Sequence, residues 1–234
     1  MNPVLAPPNR AAGRHAGGPK SGPKSRLGGA VRLALAGHRP GERPDGADVP
    51  ALAVLGRSNV GKSSLLNALL GLPVARVSAT PGRTQALYWY RVDDAFDLVD
   101  CPGYGFAKAS REVRDRLEKL IEGFLSGTPR PVGALLLVDG RHGPQESDRS
   151  MALFLSNAGV PTVVVATKWD AVKPSARTRQ LRTLAAEFGR DDRPLLPVSS
   201  GTGENLHVLV RLLRERVEAR PSGRAPSGVP ALPS

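Results

Sequence analysis

A single cysteine, Cys101, stands in the 234-residue chain, so no disulfide can form within it. Free thiol chemistry of this kind fits a reducing compartment. Aromatic residues are scarce, at 4%. No apolar run approaches the roughly 18 residues of a membrane-spanning helix, and no membrane span is expected. The stretch Val31-Arg32-Leu33-Ala34-Leu35-Ala36 is too short for a secretory signal and is broken by Arg32. Acidic residues are missing altogether from residues 1–40, which carry seven Lys or Arg (Arg10, Arg14, Lys20, Lys24, Arg26, Arg32, Arg39) among Pro, Gly and Ala. Such a segment buries too little apolar surface to offset its chain entropy. Residues 1–47 are therefore expected as a disordered basic tail, and the Pro/Ser/Gly-rich residues 220–234 as a second tail. Three readings of the first tail stay open: contact with RNA phosphates, a passive extension, or an organelle transit peptide. The whole chain carries a formal charge of +12 with a pI near 10.8. That balance suits acidic partners such as nucleic acid or anionic membrane, or reflects an arginine bias.

What the chain does contain is organised around Gly56-Arg57-Ser58-Asn59-Val60-Gly61-Lys62-Ser63. This fits the phosphate-loop pattern G-x-x-x-x-G-K-[ST]. The apolar run Ala51–Leu55 precedes it, and the helix-like stretch from Ser64 to Gly71 follows. A strand, a glycine turn and a helix N-terminus bring backbone N–H groups and the positive helix end to one point. Gly56 and Gly61 permit close approach and unusual backbone angles. Lys62 is placed to reach the β- and γ-phosphates of a nucleoside triphosphate, and the Ser63 hydroxyl to hold Mg²⁺.

The rest of the globular part, expected over residues 48–219, alternates strand and helix. Strands are predicted over residues 86–92, 95–100, 134–138, 162–166 and 195–198. Helices are predicted over 110–125, 145–157, 176–188 and 204–218. Asp93-Asp94 joins the first two strands as an antiparallel hairpin. Near-continuous apolar strands alternating with helices imply a mostly parallel sheet covered on both faces. Right-handed crossovers then place the strand C-termini, with the phosphate loop, along one edge.

Further motifs fall at those strand ends. Asp100-Cys101-Pro102-Gly103 has the form D-x-x-G. Its aspartate suits Mg²⁺, held through water, and the Gly103 N–H suits the γ-phosphate. Thr167-Lys168-Trp169-Asp170 resembles the guanine-reading N-K-x-D motif, with Thr167 in the asparagine place. An Asp170 carboxylate can accept from guanine N1–H and the 2-amino group, which adenine does not offer. Val198-Ser199-Ser200 resembles the loop whose N–H contacts guanine O6. Thr84 is the candidate switch threonine, with Thr80 the alternative. Tyr104 stands where many GTPases carry the glutamine that orients water, so slow intrinsic hydrolysis is expected. Asn59 leaves two readings open. Its side chain holds a monovalent cation such as K⁺ beside the phosphates, or it only shapes the loop.

Taken together, Gly56–Ser63, Pro81-Gly82-Arg83-Thr84-Gln85, Asp100–Gly105, Thr167–Asp170 and Val198–Ser200 resemble the EngB (YsxC/YihA) family of the TrmE–Era–EngA–EngB superfamily. The resemblance spans about residues 48–219. It implies a three-layer, Ras-like P-loop NTPase with a six-stranded, mostly parallel sheet and one antiparallel edge hairpin. It implies Thr84 as an Mg²⁺ ligand beside Ser63 and Asp100, and Lys62, Thr84, Gly103 and Asn59 in catalytic roles. Nucleotide contacts are implied for Gly56–Ser64, for Gly82, Arg83, Thr84, Gln85 and Ala86, for Asp100–Gly103, for Thr167–Asp170 and for Val198–Ser200. The family's fourth motif is T-K-x-D, so Thr167 is no departure. Cys101 and Trp169 differ from the usual residues there without removing a contact of Asp100 or Asp170.

The same resemblance implies binding of GTP and GDP, with Mg²⁺. It implies assistance in assembly of the large ribosomal subunit, through rRNA and ribosomal proteins. It also implies a need in cell division and septation, and a cytoplasmic, bacterial location. A monomer is expected. The rivals are a nucleotide-gated RNA- or ribosome-binding module with negligible hydrolysis, an ATPase, and an organellar version cleaved near residue 40.

Overall fold

Seven strands and five helices occur in the computed structural model, which describes residues 25–45, 49–71, 73, 86–105, 110–189 and 193–219. In chain order they are β1 (Val31–Gly37), β2 (Ala51–Gly56), α1 (Lys62–Leu70), β3 (Leu87–Val92), β4 (Phe96–Asp100), α2 (Arg111–Ser126), β5 (Gly133–Asp139), α3 (Glu146–Asn157), β6 (Thr162–Thr167), α4 (Pro174–Phe188), β7 (Leu195–Pro197) and α5 (Leu206–Glu218). The strands form one sheet in the order β1-β3-β4-β2-β5-β6-β7. From β4 to β7 all neighbours are parallel, whereas β3 runs antiparallel to both β1 and β4.

The apolar runs are continuous because both sheet faces are covered. Side chains alternate along a strand. Ala51, Ala53 and Leu55 of β2 therefore join one core with Leu120 and Phe124 of α2, Phe154 of α3 and Leu184 of α4. Leu52 and Val54, between them, join a second core with Leu65, Leu66 and Leu69 of α1 and Leu209 and Leu213 of α5. The result is a helix–sheet–helix sandwich, as the alternation predicts. The Asp93-Asp94 turn forms as expected, with both residues at positive φ (50° and 52°). Short acidic side chains tolerate that region, and the paired left-handed residues match the twist of a hairpin. Starts shift slightly: α4 begins at Pro174, since proline's fixed φ suits the first helical position.

Two expectations are corrected. The sheet has seven strands rather than six, and the β3–β4 hairpin is not at its edge, because β1 pairs with β3 from Val31↔Val92 to Gly37↔Leu87. The disordered tail expected through residue 47 does not hold for residues 25–45. Leu27 is buried, Ser25 Oγ donates to Leu69 O at 3.0 Å, and Arg214 Nη2 donates to Leu27 O at 2.8 Å. β1 eluded the sequence because it is an edge strand. It is half exposed, carries Arg32, and loses its alternation at a register shift between Leu33 and Leu35. Among the described residues no helix is long and apolar enough to cross a membrane.

Candidate functional site

The C-terminal ends of β2, β4, β5, β6 and β7 lie along one edge, where the sequence motifs meet. Gly56 closes β2 in a position without room for a side chain: a Cβ there would lie 2.8 Å from Val60 Cγ1 and 3.0 Å from Leu137 Cβ. Asn59 (φ 62°) and Gly61 (φ 105°) turn the chain through left-handed geometry into α1. The first turn of α1 holds no acidic residue and has no side-chain cap. Its N–H groups and positive dipole end are thus left for an anion.

Under this turn, the Lys62 ammonium is paired with Asp100 Oδ1. Both side chains are buried, at 8% and 5% relative exposure, so the pair forms the floor of the cradle. The D-x-x-G loop is stitched to the phosphate loop by main-chain bonds, Tyr104 N–H to Gly56 O at 3.3 Å and Ser58 N–H to Tyr104 O at 3.2 Å. Gly103 packs so tightly there that a Cβ would lie 2.9 Å from Ser58 Oγ. Ser58 Oγ and Arg57 Nε are buried and have no hydrogen-bond partner among the described residues. The half-buried Ser63 hydroxyl and the Asp100 carboxylate are hard oxygen donors, suited to Mg²⁺. No cluster of three His, Cys, Asp or Glu occurs among the described residues. A cation here would draw its other ligands from phosphate and water, as Mg²⁺ does in nucleotide sites.

The expected base-reading segment packs against the same loop. Thr167 Oγ1 lies 2.5 Å from Val60 O and 3.1 Å from Val138 O. A Cβ on Gly61 would lie 3.7 Å from both Thr167 Cβ and Lys168 Cε. Lys168, at φ 55°, donates to Asn59 O and to Asp139 Oδ2, the latter at 2.9 Å. Asp170 is exposed, and its Oδ1 accepts from Ser199 Oγ at 2.6 Å. Ser199 Oγ in turn accepts from Thr202 N–H at 3.0 Å. The fully buried Ser199, on the turn after β7, therefore holds the carboxylate that follows β6.

Several other motif residues are scaffold rather than surface. Cys101 is buried in the core with its thiol pushed up to about 12 by burial, and its N–H is spent on Val54 O. Trp169 and Val198 are core residues bonded to each other, Trp169 N–H to Val198 O at 3.3 Å. Pro102, Val60 and Ala86 are buried, Ser200 is half-buried and Ser64 is exposed. Gly82, Arg83, Thr84 and Gln85, with Thr80, lie outside the described residues. Two acids at the site went unread in the sequence. Asp139 ends β5 beside Thr167 in the parallel register. Asp148, buried on α3, accepts from the Tyr104 hydroxyl at 3.1 Å.

A doubly covered parallel sheet, a phosphate loop with its lysine paired to the D-x-x-G aspartate, and a T-K-x-D loop on the same edge define a P-loop GTPase domain. Comparison with known proteins agrees. Residues 51–168 match the family described as 50S ribosome-binding GTPase, and residues 123–219 match the elongation factor Tu GTP binding domain. The probable GTP-binding protein EngB of Gemmatimonas aurantiaca is 42% identical over 176 residues, 75% of this chain and 86% of that protein. Its counterpart in Thermotoga petrophila is 40% identical over 184 residues, covering 78% and 94%. A crystal structure of a probable GTP-binding protein engB superposes with a TM-score of 0.61 at 28% identity, over 73% of this chain and all of that one. The chain belongs to the EngB family of GTP-binding proteins.

Proposed function

We propose that this GTPase acts with Mg²⁺ as an assembly factor on the large ribosomal subunit or its precursor. Lys62 and the loop N–H groups hold the phosphates. Ser63, Asp100 and Thr84 serve Mg²⁺, and the Gly103 N–H meets the γ-phosphate. Asp170 reads guanine, assisted by Lys168, Ser199 and Ser200. The observation that carries the nucleotide assignment is the meeting of two anchored carboxylates on one sheet edge. Asp100 is paired with the phosphate-loop lysine, and Asp170 is fixed by Ser199. The ribosomal assignment draws on the family description, 50S ribosome-binding GTPase, and on a net charge of +12 that suits RNA. The protein works as a monomer in the bacterial cytoplasm, and cell division and septation depend on it through ribosome supply.

Slow intrinsic turnover follows from Tyr104, whose hydroxyl is engaged by Asp148 on α3 rather than free to orient a water. The same contact favours the second reading, in which the unassisted chain hardly hydrolyses GTP and works as a nucleotide-gated module. Asn59, exposed at its left-handed position, supports a K⁺ ion beside the phosphates. Multiple-turnover phosphate release with and without K⁺ separates these cases.

The ribosomal reading is tested by cosedimentation with large subunits at fixed salt and K⁺. A non-hydrolysable GTP analogue, GDP and no nucleotide are compared, each with the full chain and with a chain starting at Ser25. Tight binding with the analogue alone supports a GTP-timed assembly factor. Equal binding in every nucleotide state, lost at modest salt or with the first 24 residues, contradicts it.

A further inference from the structure

Asp139 ends β5 and belongs to none of the motifs. Its carboxylate nevertheless accepts four hydrogen bonds. Arg141 supplies three: Nε to Oδ1 at 2.9 Å, Nη2 to Oδ2 at 2.8 Å, and its main-chain N–H to Oδ1 at 3.0 Å. Lys168 Nζ supplies the fourth, to Oδ2 at 2.9 Å. Burial alone would raise this carboxyl's pKa. The hydrogen bonds from Arg141 and Lys168 outweigh it and hold the group well below the usual carboxylate range.

The bonds to Arg141 explain a well-formed turn after β5. The bond to Lys168 serves something else. A lysine ammonium is a compact, strongly hydrated charge on a flexible stem, and left alone it samples many positions. Here it is gripped from two sides, by Asp139 at the end of a central strand and by the Asn59 carbonyl in the phosphate loop. The ammonium thus rivets the loop that carries Asp170 to the loop that carries the phosphate cradle. Without the Asp139 charge, the Lys168 ammonium and the Arg141 guanidinium would be left as uncompensated like-charge neighbours, and the flexible one would swing away.

We propose that Asp139 is a positioning residue for nucleotide binding, which pins Lys168 against the phosphate loop and so fixes the spacing between phosphate cradle and base reader. This rests on the assignment of Lys168 and Asp170 to the guanine base. The tie lies between base and phosphate ends and is indifferent to the γ-phosphate. Its loss therefore weakens GDP and GTP alike. The preference for guanine over xanthine stays, because Asp170 is untouched.

The test is calorimetric titration of the full chain with GDP, a non-hydrolysable GTP analogue, XDP and ADP. The variants are Asp139→Asn, Lys168→Ala and the double substitution. Asp139→Asn is expected to weaken GDP and the analogue equally, by about tenfold, the value of one hydrogen bond to a charged group. The GDP-to-XDP ratio should match the parent's. In the Lys168→Ala background the same exchange should cost less than about twofold further, which a purely structural role for Asp139 would not produce. If Asp139→Asn does not fold, Asp139→Ser, which keeps an acceptor for the Arg141 N–H, takes its place in the cycle. Unchanged affinity in the single variant, or the full loss repeated without Lys168, would overturn the proposal. A parent chain that bound ADP as tightly as GDP would instead remove the base assignment on which it rests.

Discussion

The Tyr104 hydroxyl donates a hydrogen bond to Oδ1 of Asp148 at 3.1 Å, joining the D-x-x-G loop to helix α3 across 44 residues of sequence. Burial pushes the Asp148 carboxyl above its ordinary value, against the opposing pull of Tyr104, Arg57 and Arg149. The folded chain therefore binds this proton more tightly than the unfolded chain does. The charged form weakens the fold, and its cost appears as pH rises from about 4 through the raised folded value. Asp148→Asn keeps an acceptor for Tyr104 and removes the cost. Thermal melts should show the variant at least as stable as the parent at pH 7, with the difference vanishing towards pH 4. A variant less stable at pH 7 would contradict this.

Lys62 and Asp100 make the opposite case, a buried pair in which each charge needs the other. Lys62→Ala leaves Asp100 charged at 3% exposure. Breaking such a pair costs about 3–5 kcal/mol. Urea unfolding should register that loss, and the Lys62→Ala/Asp100→Asn double variant should recover much of it. Neither variant should bind GTP.

Gly103→Ala should separate binding from turnover. The added Cβ would lie 2.9 Å from Ser58 Oγ and 3.2 Å from Ser58 N, so the D-x-x-G loop must shift. Overpacking of this kind costs about 1–3 kcal/mol. GDP affinity should hold, because the expected guanine contacts are remote, while phosphate release from GTP should fall. Turnover equal to the parent's would place the Gly103 N–H outside the γ-phosphate site.

Truncation tests the corrected N-terminal boundary. A chain starting at Ser25 should melt like the full chain. A chain starting at His38 lacks β1 and Leu27, which is buried at 3% exposure. Losing the burial of that one leucine alone costs about 2 kcal/mol, or about 4–8 °C in a domain of this size. Equal melting of the two truncations would contradict a structural role for β1.

Much of the fold was legible in the sequence, because its strands are doubly buried and so read as unbroken apolar runs between turn residues. The Asp93-Asp94 turn and the alternation after it placed the hairpin and the crossovers. β1 was not legible. Half exposed at the sheet edge and interrupted by a register shift, it carries neither a continuous run nor a clean alternation. At the site, the motif positions fall at strand ends, but the motifs do not give the direction of each side chain. Cys101 and Trp169 sit inside motifs yet pack in the core. Asp139 acquires meaning only through the β5–β6 register that sets it beside Thr167. Asp148 sits in the first turn of α3 beside Glu146, where acids are favoured for the helix dipole alone. Its partnership with Tyr104 is a tertiary fact that no local pattern encodes.

The central claim is that Asp170, held by Ser199, reads the guanine base. The most direct test is the equilibrium affinity of the Asp170→Asn variant for GDP and XDP. The amide can donate to the 2-oxo group of xanthine but cannot accept from both guanine donors. GDP affinity should fall by about two orders of magnitude or more, and XDP affinity should rise above the parent's. Unchanged GDP affinity, with no gain for XDP, would contradict the account.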